Sequence, residues 1–274
     1  MLFRAITGLS LLLAAVLFAC AGGPLWVLPA LFVGVYLVLF LAALAFLCIV
    51  CALVDLKKPQ AENDSKFYRA VMNVYIEALI SLVRVRLHTE GLEKTPKTGR
   101  FLLVCNHLFV ADPGILLHCF RKSQLAFITK QENYRLPIIN KFMHKILCQP
   151  LDRENNRQAL KVILKCVQLI QEDKVSIGVF PEGYTSKDGK LHPFRSGAFK
   201  IAQKTQVPIV VCTIQNTRDI FKNLVHFRHT DVELHLVEVI QPETYQGMTT
   251  VELSNLVYEK MIADLGERFR YTEV

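Results

Sequence analysis

From Ala5 to Val54 the chain runs for fifty residues without one Asp, Glu, Lys or Arg. About 20 apolar residues of helix cross a hydrocarbon core, so the stretch is long enough for two spans. Gly22-Gly23-Pro24 marks the turn between a first segment, Ala5 to Ala21, and a second, Trp26 to Leu53. Arg4 precedes the pair and Lys57-Lys58 follows it, and positive charge at both outer ends predicts a hairpin with both termini cytoplasmic. A competing reading takes the first segment as a signal peptide with a lipoprotein-like Leu17-Phe18-Ala19-Cys20, where Phe18 fits poorly. The second segment would still cross and leave the remainder on the Lys57-Lys58 side. The expected division is therefore a transmembrane hairpin over 1–58 and a cytoplasmic domain over 59–274 at a cell membrane.

That second part is large enough to bury a full core of its own. Arg4 aside, all 32 Lys and Arg and all 24 Asp and Glu lie from Asp55 onward, a surplus of seven positive charges. This favours anionic partners: a negatively charged membrane surface, a phosphate-bearing substrate or an acidic carrier protein. Zinc-finger spacing and basic runs interleaved with aromatics are absent from the sequence, which argues against nucleic acid. The eight cysteines mostly sit in apolar runs and read as free thiols, and Cys48-x-x-Cys51 reads as two small apolar residues within a span.

Past the hairpin, Asn63-Asp64-Ser65 can cap a link helix whose Phe67, Val71, Val74, Tyr75, Ala78 and Leu79 recur at helical spacing. Val83, Val85 and Leu87 alternate with Arg84, Arg86 and His88 as in a half-buried strand. Apolar strands are expected at 101–105, 125–129, 175–180, 208–214 and 232–240, with a short one ending at Leu151. Helices are expected at 138–146, 155–170, 197–206 and 251–269. In the 155–170 helix, Leu160, Ile163, Leu164 and Val167 are read as inward, with Arg157, Lys161 and Lys165 as an outer stripe able to meet an acidic carrier. Strands alternating with helices predict an α/β domain with a mostly parallel central sheet flanked by helices, its ligand site at the carboxyl ends of the strands.

Two connections stand at such ends. In Asn106-His107-Leu108-Phe109-Val110-Ala111-Asp112-Pro113, Asp112-Pro113 reads as an N-cap and first turn, so His107 lies in a strand-to-helix connection. On a continuous helix His107 and Asp112 would point about 140° apart. In a tight connection they can face each other, leaving one imidazole nitrogen free as a base. The second connection is Phe180-Pro181-Glu182-Gly183-Tyr184-Thr185-Ser186. Cys105 precedes His107 by two residues, but strand alternation and apolar flanks read it as a core thiol rather than a nucleophile.

Together with Gln149-Pro150-Leu151-Asp152-Arg153, Phe194-Arg195-x-Gly197-Ala198 and Val207-Pro208-Ile209, these motifs resemble, in order and separation, the glycerolipid acyltransferase family typified by 1-acyl-sn-glycerol-3-phosphate acyltransferase. The resemblance covers Val83 to Ile214 in detail. It implies a glycerolipid acyltransferase-like fold and an O-acyl transfer from an acyl-carrier protein or coenzyme A thioester to a lysophospholipid, with no cofactor and no metal. It further implies His107 as base and Asp112 as its orienting carboxylate. Arg153, Lys130, Glu182, Gly183 and Ser186 would serve the acceptor, with Glu182 receiving hydrogen bonds from a lysolipid hydroxyl or pinning Arg153.

Thr185 departs from the family pattern by replacing a common arginine, Phe109 and Val110 fill positions often small or polar, and Val211 replaces a frequent proline. The first departure motivates another lysophospholipid head group as the alternative to lysophosphatidate. A non-catalytic membrane-tethered lipid-binding protein is the reading from a different class. A metal-dependent hydrolase built on His107 and Asp112 would need a further His or carboxylate cluster, which the sequence does not offer.

Overall fold

A computed structural model describes residues 1–152 and 155–272. The uncharged stretch forms α1 (Leu2–Ala21) and α2 (Val27–Ala52), joined through Gly22 and Gly23, both at positive φ. Both helices are long and apolar enough to cross a membrane. They lie side by side, with the rings of Phe3 and Phe40 stacked at 6.5 Å.

The link helix α3 (Lys66–Leu82) starts where the Ser65 hydroxyl accepts the Tyr68 amide. It runs back along α2: the Tyr68 hydroxyl donates to the Val50 carbonyl and that of Tyr75 to the Ala43 carbonyl. Buried Arg69 grips Asp64 at 2.8 Å and donates to the Leu125 carbonyl at 3.0 Å, which fixes α3 to the sheet. Val50 and Cys51, at the end of α2, share one hydrophobic core with Val71 and Met72 of α3. The foot of the hairpin is thus packed into the domain rather than joined to it by a loose tether.

Seven strands form one sheet: β1 (Val85–Glu90), β2 (Leu102–Cys105), β3 (Leu125–Lys130), β4 (Gln149–Leu151), β5 (Ser176–Val179), β6 (Ile209–Gln215) and β7 (Thr230–Ile240). Their order is β1-β7-β6-β2-β5-β3-β4. All neighbours are parallel except β6 and β7, so β1 and β7 run against the other five. Between β6 and β7 the chain forms a 3-10 turn (Thr217–Asp219) and the short helix α8 (Ile220–Val225), then returns antiparallel beside β6.

The remaining helices are α4 (Asp112–Cys119), α5 (Ile139–Lys145), α6 (Asn156–Gln171), α7 (Lys200–Thr205), α9 (Pro242–Tyr245) and α10 (Thr250–Leu265). β2, β5 and β6 are buried along their cores, as near-continuous apolar runs covered on both faces should be.

Two sequence expectations change. On α6, Ile163 and Val167 do point inward, but Leu160 and Leu164 are half-exposed. Val162, Cys166, Leu169 and Ile170 complete the buried face. The apolar residues of this helix exceed one stripe, and the stripe centred on Cys166 fits against the sheet. Asp112 begins α4 as its first residue, after Ala111, and its side chain turns back rather than capping the helix.

Candidate active site

β2 and β5 are adjacent and parallel, with Val104 opposite Val179, so the connections leaving their carboxyl ends emerge together. This register sets His107 against the Phe180 to Ser186 segment. Asn106 clamps the neighbouring strand end: its side chain donates to the Ile214 carbonyl at 2.9 Å and accepts the Ile214 amide at 2.8 Å.

Asp112 is wholly buried. Its Oδ2 lies 2.9 Å from His107 Nδ1 and accepts the amides of Leu108 and Phe109, each at 2.7 Å. Three donors on one oxygen fold the 107–112 loop around the carboxylate. With Nδ1–H facing the carboxylate, the imidazole presents Nε2 as its free, basic nitrogen. One face of the ring stacks on Phe180 at 4.2 Å, and Phe180 stacks on Phe127 at 5.4 Å. Beneath them Gly178 leaves the space the Phe127 ring fills, since a Cβ there would lie 2.5 Å from it. An imidazole held this way can withdraw a proton from a hydroxyl offered at Nε2 and return it to a leaving group.

Glu182 is buried as well, and each of its oxygens accepts a backbone amide. Oε1 accepts the His107 amide at 2.9 Å and Oε2 the His192 amide at 3.0 Å. Burial pushes its carboxyl up to about 7, against the pull of those two amides and with help from the charges of Asp188 and Asp112. Through these two bonds Glu182 braces two loops, and the expected pairing with Arg153 lies outside the described residues. Ser186 likewise turns inward. Its amide donates to the His107 carbonyl at 2.8 Å, and its hydroxyl bonds Asp188 and receives the Gly189 amide. Burial alone would raise Asp188, but the Lys190 amide, His192 and the Ser186 hydroxyl hold it down to about 2.

Gly183 sits at φ 82, and a Cβ there would come within 3.0 Å of Arg195 Nε. The Arg195 amide donates to the Pro181 carbonyl at 2.8 Å, so this exposed guanidinium lies directly over the Pro-Glu-Gly turn. Sequence reasoning placed Arg195 in a motif without giving it a task. The signal available was its spacing of twelve residues from Gly183, which predicts nothing until the chain folds back. Lys130 ends β3 on the same side of the sheet, exposed and paired with Glu132 at 3.1 Å. Arg153 lies outside the described residues. Cys105 is buried in β2, and burial, with the Cys212 thiol and the Asp112 and Glu182 carboxylates, lifts its thiol well above the ordinary range. A cleft of about 560 Å³ lined by Lys94, Lys97, Pro208 and Glu238 opens at the opposite, amino end of β6, away from His107.

The fold is similar to that of the crystal structure of the 1-acyl-sn-glycerophosphate acyltransferase of Thermotoga maritima, with a TM-score of 0.63 and 24% identity over 84% of this chain and 90% of that one. By sequence the chain is 25% identical over 199 residues to the 1-acyl-sn-glycerol-3-phosphate acyltransferase of Borreliella burgdorferi, covering 71% of this chain and 78% of that protein. It is 32% identical over 155 residues to a chloroplastic enzyme of the same name from Brassica napus, covering 55% of this chain and 44% of the relative. The family model described as Acyltransferase matches residues 86–215, the span from β1 to the end of β6 that carries both connections. Residues 86–215 thus match the acyltransferase family, and the chain is similar to enzymes that carry that activity in their names.

Proposed function

We propose that the enzyme moves a fatty acyl group from a thioester to the free hydroxyl of 1-acyl-glycerol-3-phosphate, giving phosphatidic acid. α1 and α2 anchor it in a cell membrane with the catalytic domain on the cytoplasmic side. The observation that carries this reading is the imidazole of His107, fixed through Nδ1 by a buried carboxylate and stacked on Phe180. The names of the relatives from Borreliella and Brassica supply the acceptor.

In this mechanism His107 Nε2 takes the proton of the acceptor hydroxyl as its oxygen attacks the thioester carbonyl. The tetrahedral intermediate collapses, the carbon–sulfur bond breaks, and the imidazolium returns the proton to the departing thiolate. Asp112 holds the tautomer and stabilises the imidazolium. No acyl-enzyme forms, so buried Cys105 has no part. Arg153 and Lys130 hold the phosphate, joined by Arg195 from its seat over Gly183. The acyl donor is an acyl-carrier protein or coenzyme A thioester, and no cofactor takes part.

One observation favours a second reading. Thr185, where the family pattern named in the sequence analysis has arginine, is exposed and neutral, which suits a lysophospholipid with a larger head group. Purified enzyme offered a panel of lysophosphatidate and choline, ethanolamine and glycerol lysolipids, with each donor type, separates the two. Preference for lysophosphatidate, with at least a hundredfold loss in His107→Ala, is the expected result. Wild-type turnover by His107→Ala would overturn the mechanism, and preference for a larger head group would replace the acceptor.

A further inference from the structure

We propose that α8 and the turn after it form a second membrane contact, seated on an anionic lipid surface beside the site, through which acceptor lipid reaches His107. The inference rests on the reading of α1 and α2 as a membrane anchor.

Within seven residues this segment exposes three large apolar side chains: Phe221 at 59%, Val225 at 75% and Phe227 at 81%. Val110, from the loop between His107 and Asp112, is 66% exposed. The two stretches touch, because the Phe109 ring packs edge-on against Phe221 at 5.2 Å. Phe109 is also one of the residues whose amide holds Asp112. The apolar patch therefore borders the base itself.

Phe227 adds an independent argument from its backbone. It follows the C-cap of α8 at φ 55, with its amide donating to the Leu224 carbonyl and that of Arg228 to the Asn223 carbonyl. Helices commonly end this way on glycine, which has no Cβ to strain. A phenylalanine here is a costly choice in the folded chain, and its ring is left almost entirely in water. Backbone strain kept at such a position is a pointer to function, and an aromatic ring at a lipid headgroup boundary would supply one. Lys222 and Arg228, both exposed, flank the ring with positive charge suited to anionic headgroups.

The patch also faces the right way. α3 runs antiparallel to α2, so its carboxyl end points toward the tip of the hairpin. The amino terminus of α1 is held at that end of α3 by Glu77, at 2.7 Å. Arg84, just beyond α3, pairs with His229, just beyond Phe227, at 3.2 Å. The end of α8 thus stands level with the base of α1, where the hairpin leaves the domain. Continuity with the anchor, together with the mixture of rings and cations, selects a lipid surface over a protein partner.

The full chain has one tryptophan, Trp26, in the hairpin turn. In wild type its emission, quenched by brominated lipid, verifies insertion. A chain carrying Trp26→Phe and Phe227→Trp is then reconstituted into phosphatidylcholine vesicles containing phosphatidylglycerol, with bromines near the headgroup. Strong quenching at the introduced tryptophan is expected. Absence of quenching, with the wild-type control quenched, overturns the proposal. So does emission that tracks protein density rather than bromine, which would make the patch a contact between copies. Phe227→Gly should raise the thermal midpoint while lowering turnover severalfold on acceptor presented in vesicles, not on acceptor dispersed in detergent. Equal loss in both also overturns it. The quenching result does not depend on which acceptor is used, so failure of the proposed reaction is read separately.

Discussion

The two sides of the site are built to different standards. On the side of the base, both carboxylates are buried and, among the described residues, accept hydrogen bonds from backbone amides and the imidazole. On the side where an acceptor would lie, Lys130, Thr185 and Arg195 are exposed on flexible or short side chains. On the mechanism proposed above, the difference means that proton chemistry is fixed by burial while head-group choice is left to the surface. Substitutions should therefore divide cleanly, with kcat answering to the first side and KM to the second.

The harshest test of that division is Asp112→Asn. An amide in place of the carboxylate removes the charge that stabilises the imidazolium and offers an N–H toward two backbone amides. Turnover should fall about a thousandfold with KM little changed, read from steady-state kinetics on micellar acceptor. A comparable rise in KM would break the comparison.

Glu182→Gln should follow, with kcat down about tenfold, since one of the two amides loses its acceptor at a cost of about 1–3 kcal/mol. The same variant carries a pH signature. The folded carboxyl of Glu182 is raised to about 7 from 4.5, so its contribution is fully present below the unfolded value and is lost as pH rises through the folded one. Wild-type stability should decline across that window by about 3 kcal/mol relative to Glu182→Gln, measured by denaturant unfolding at several pH values. Parallel curves for the two proteins would show that the carboxyl ionises freely.

Arg195→Ala belongs to the other side. Loss of one charged hydrogen-bonding partner, worth about 1.5–3 kcal/mol, should raise KM for a phosphate-bearing acceptor about tenfold or more and leave kcat within about twofold. Lys130→Ala should do least, about threefold at most in KM, because that ammonium is exposed and already paired with Glu132.

The order of elements was legible because each strand is a short apolar run and each connection carries turn residues or a cap. The hairpin, Ser65 at the head of α3 and both connections at strand ends follow directly from spacing. What spacing does not carry is the direction a side chain turns. Asp112 has the look of an N-cap, yet its oxygen faces backward, onto three donors of the 107–109 segment. Glu182 stands in a motif that suggests a ligand contact, and only the fold shows that its oxygens also hold the His107 and His192 amides. On α6, counting apolar residues chose Leu160 and Leu164, whereas the sheet accepts the stripe with compact Cys166. Arg195 was invisible as a partner of Gly183 because the contact depends on the loop between them folding over.

The stack of Gly178, Phe127, Phe180 and His107 ties the interior of the sheet to the reacting nitrogen. A single methyl group added at Gly178, in the dry middle of β5, must displace the Phe127 ring, and that ring bears on Phe180 and so on the imidazole. The aim of the base is therefore an output of core packing. On the mechanism proposed above, a change in the interior can silence the enzyme while leaving every atom that a substrate touches chemically unaltered.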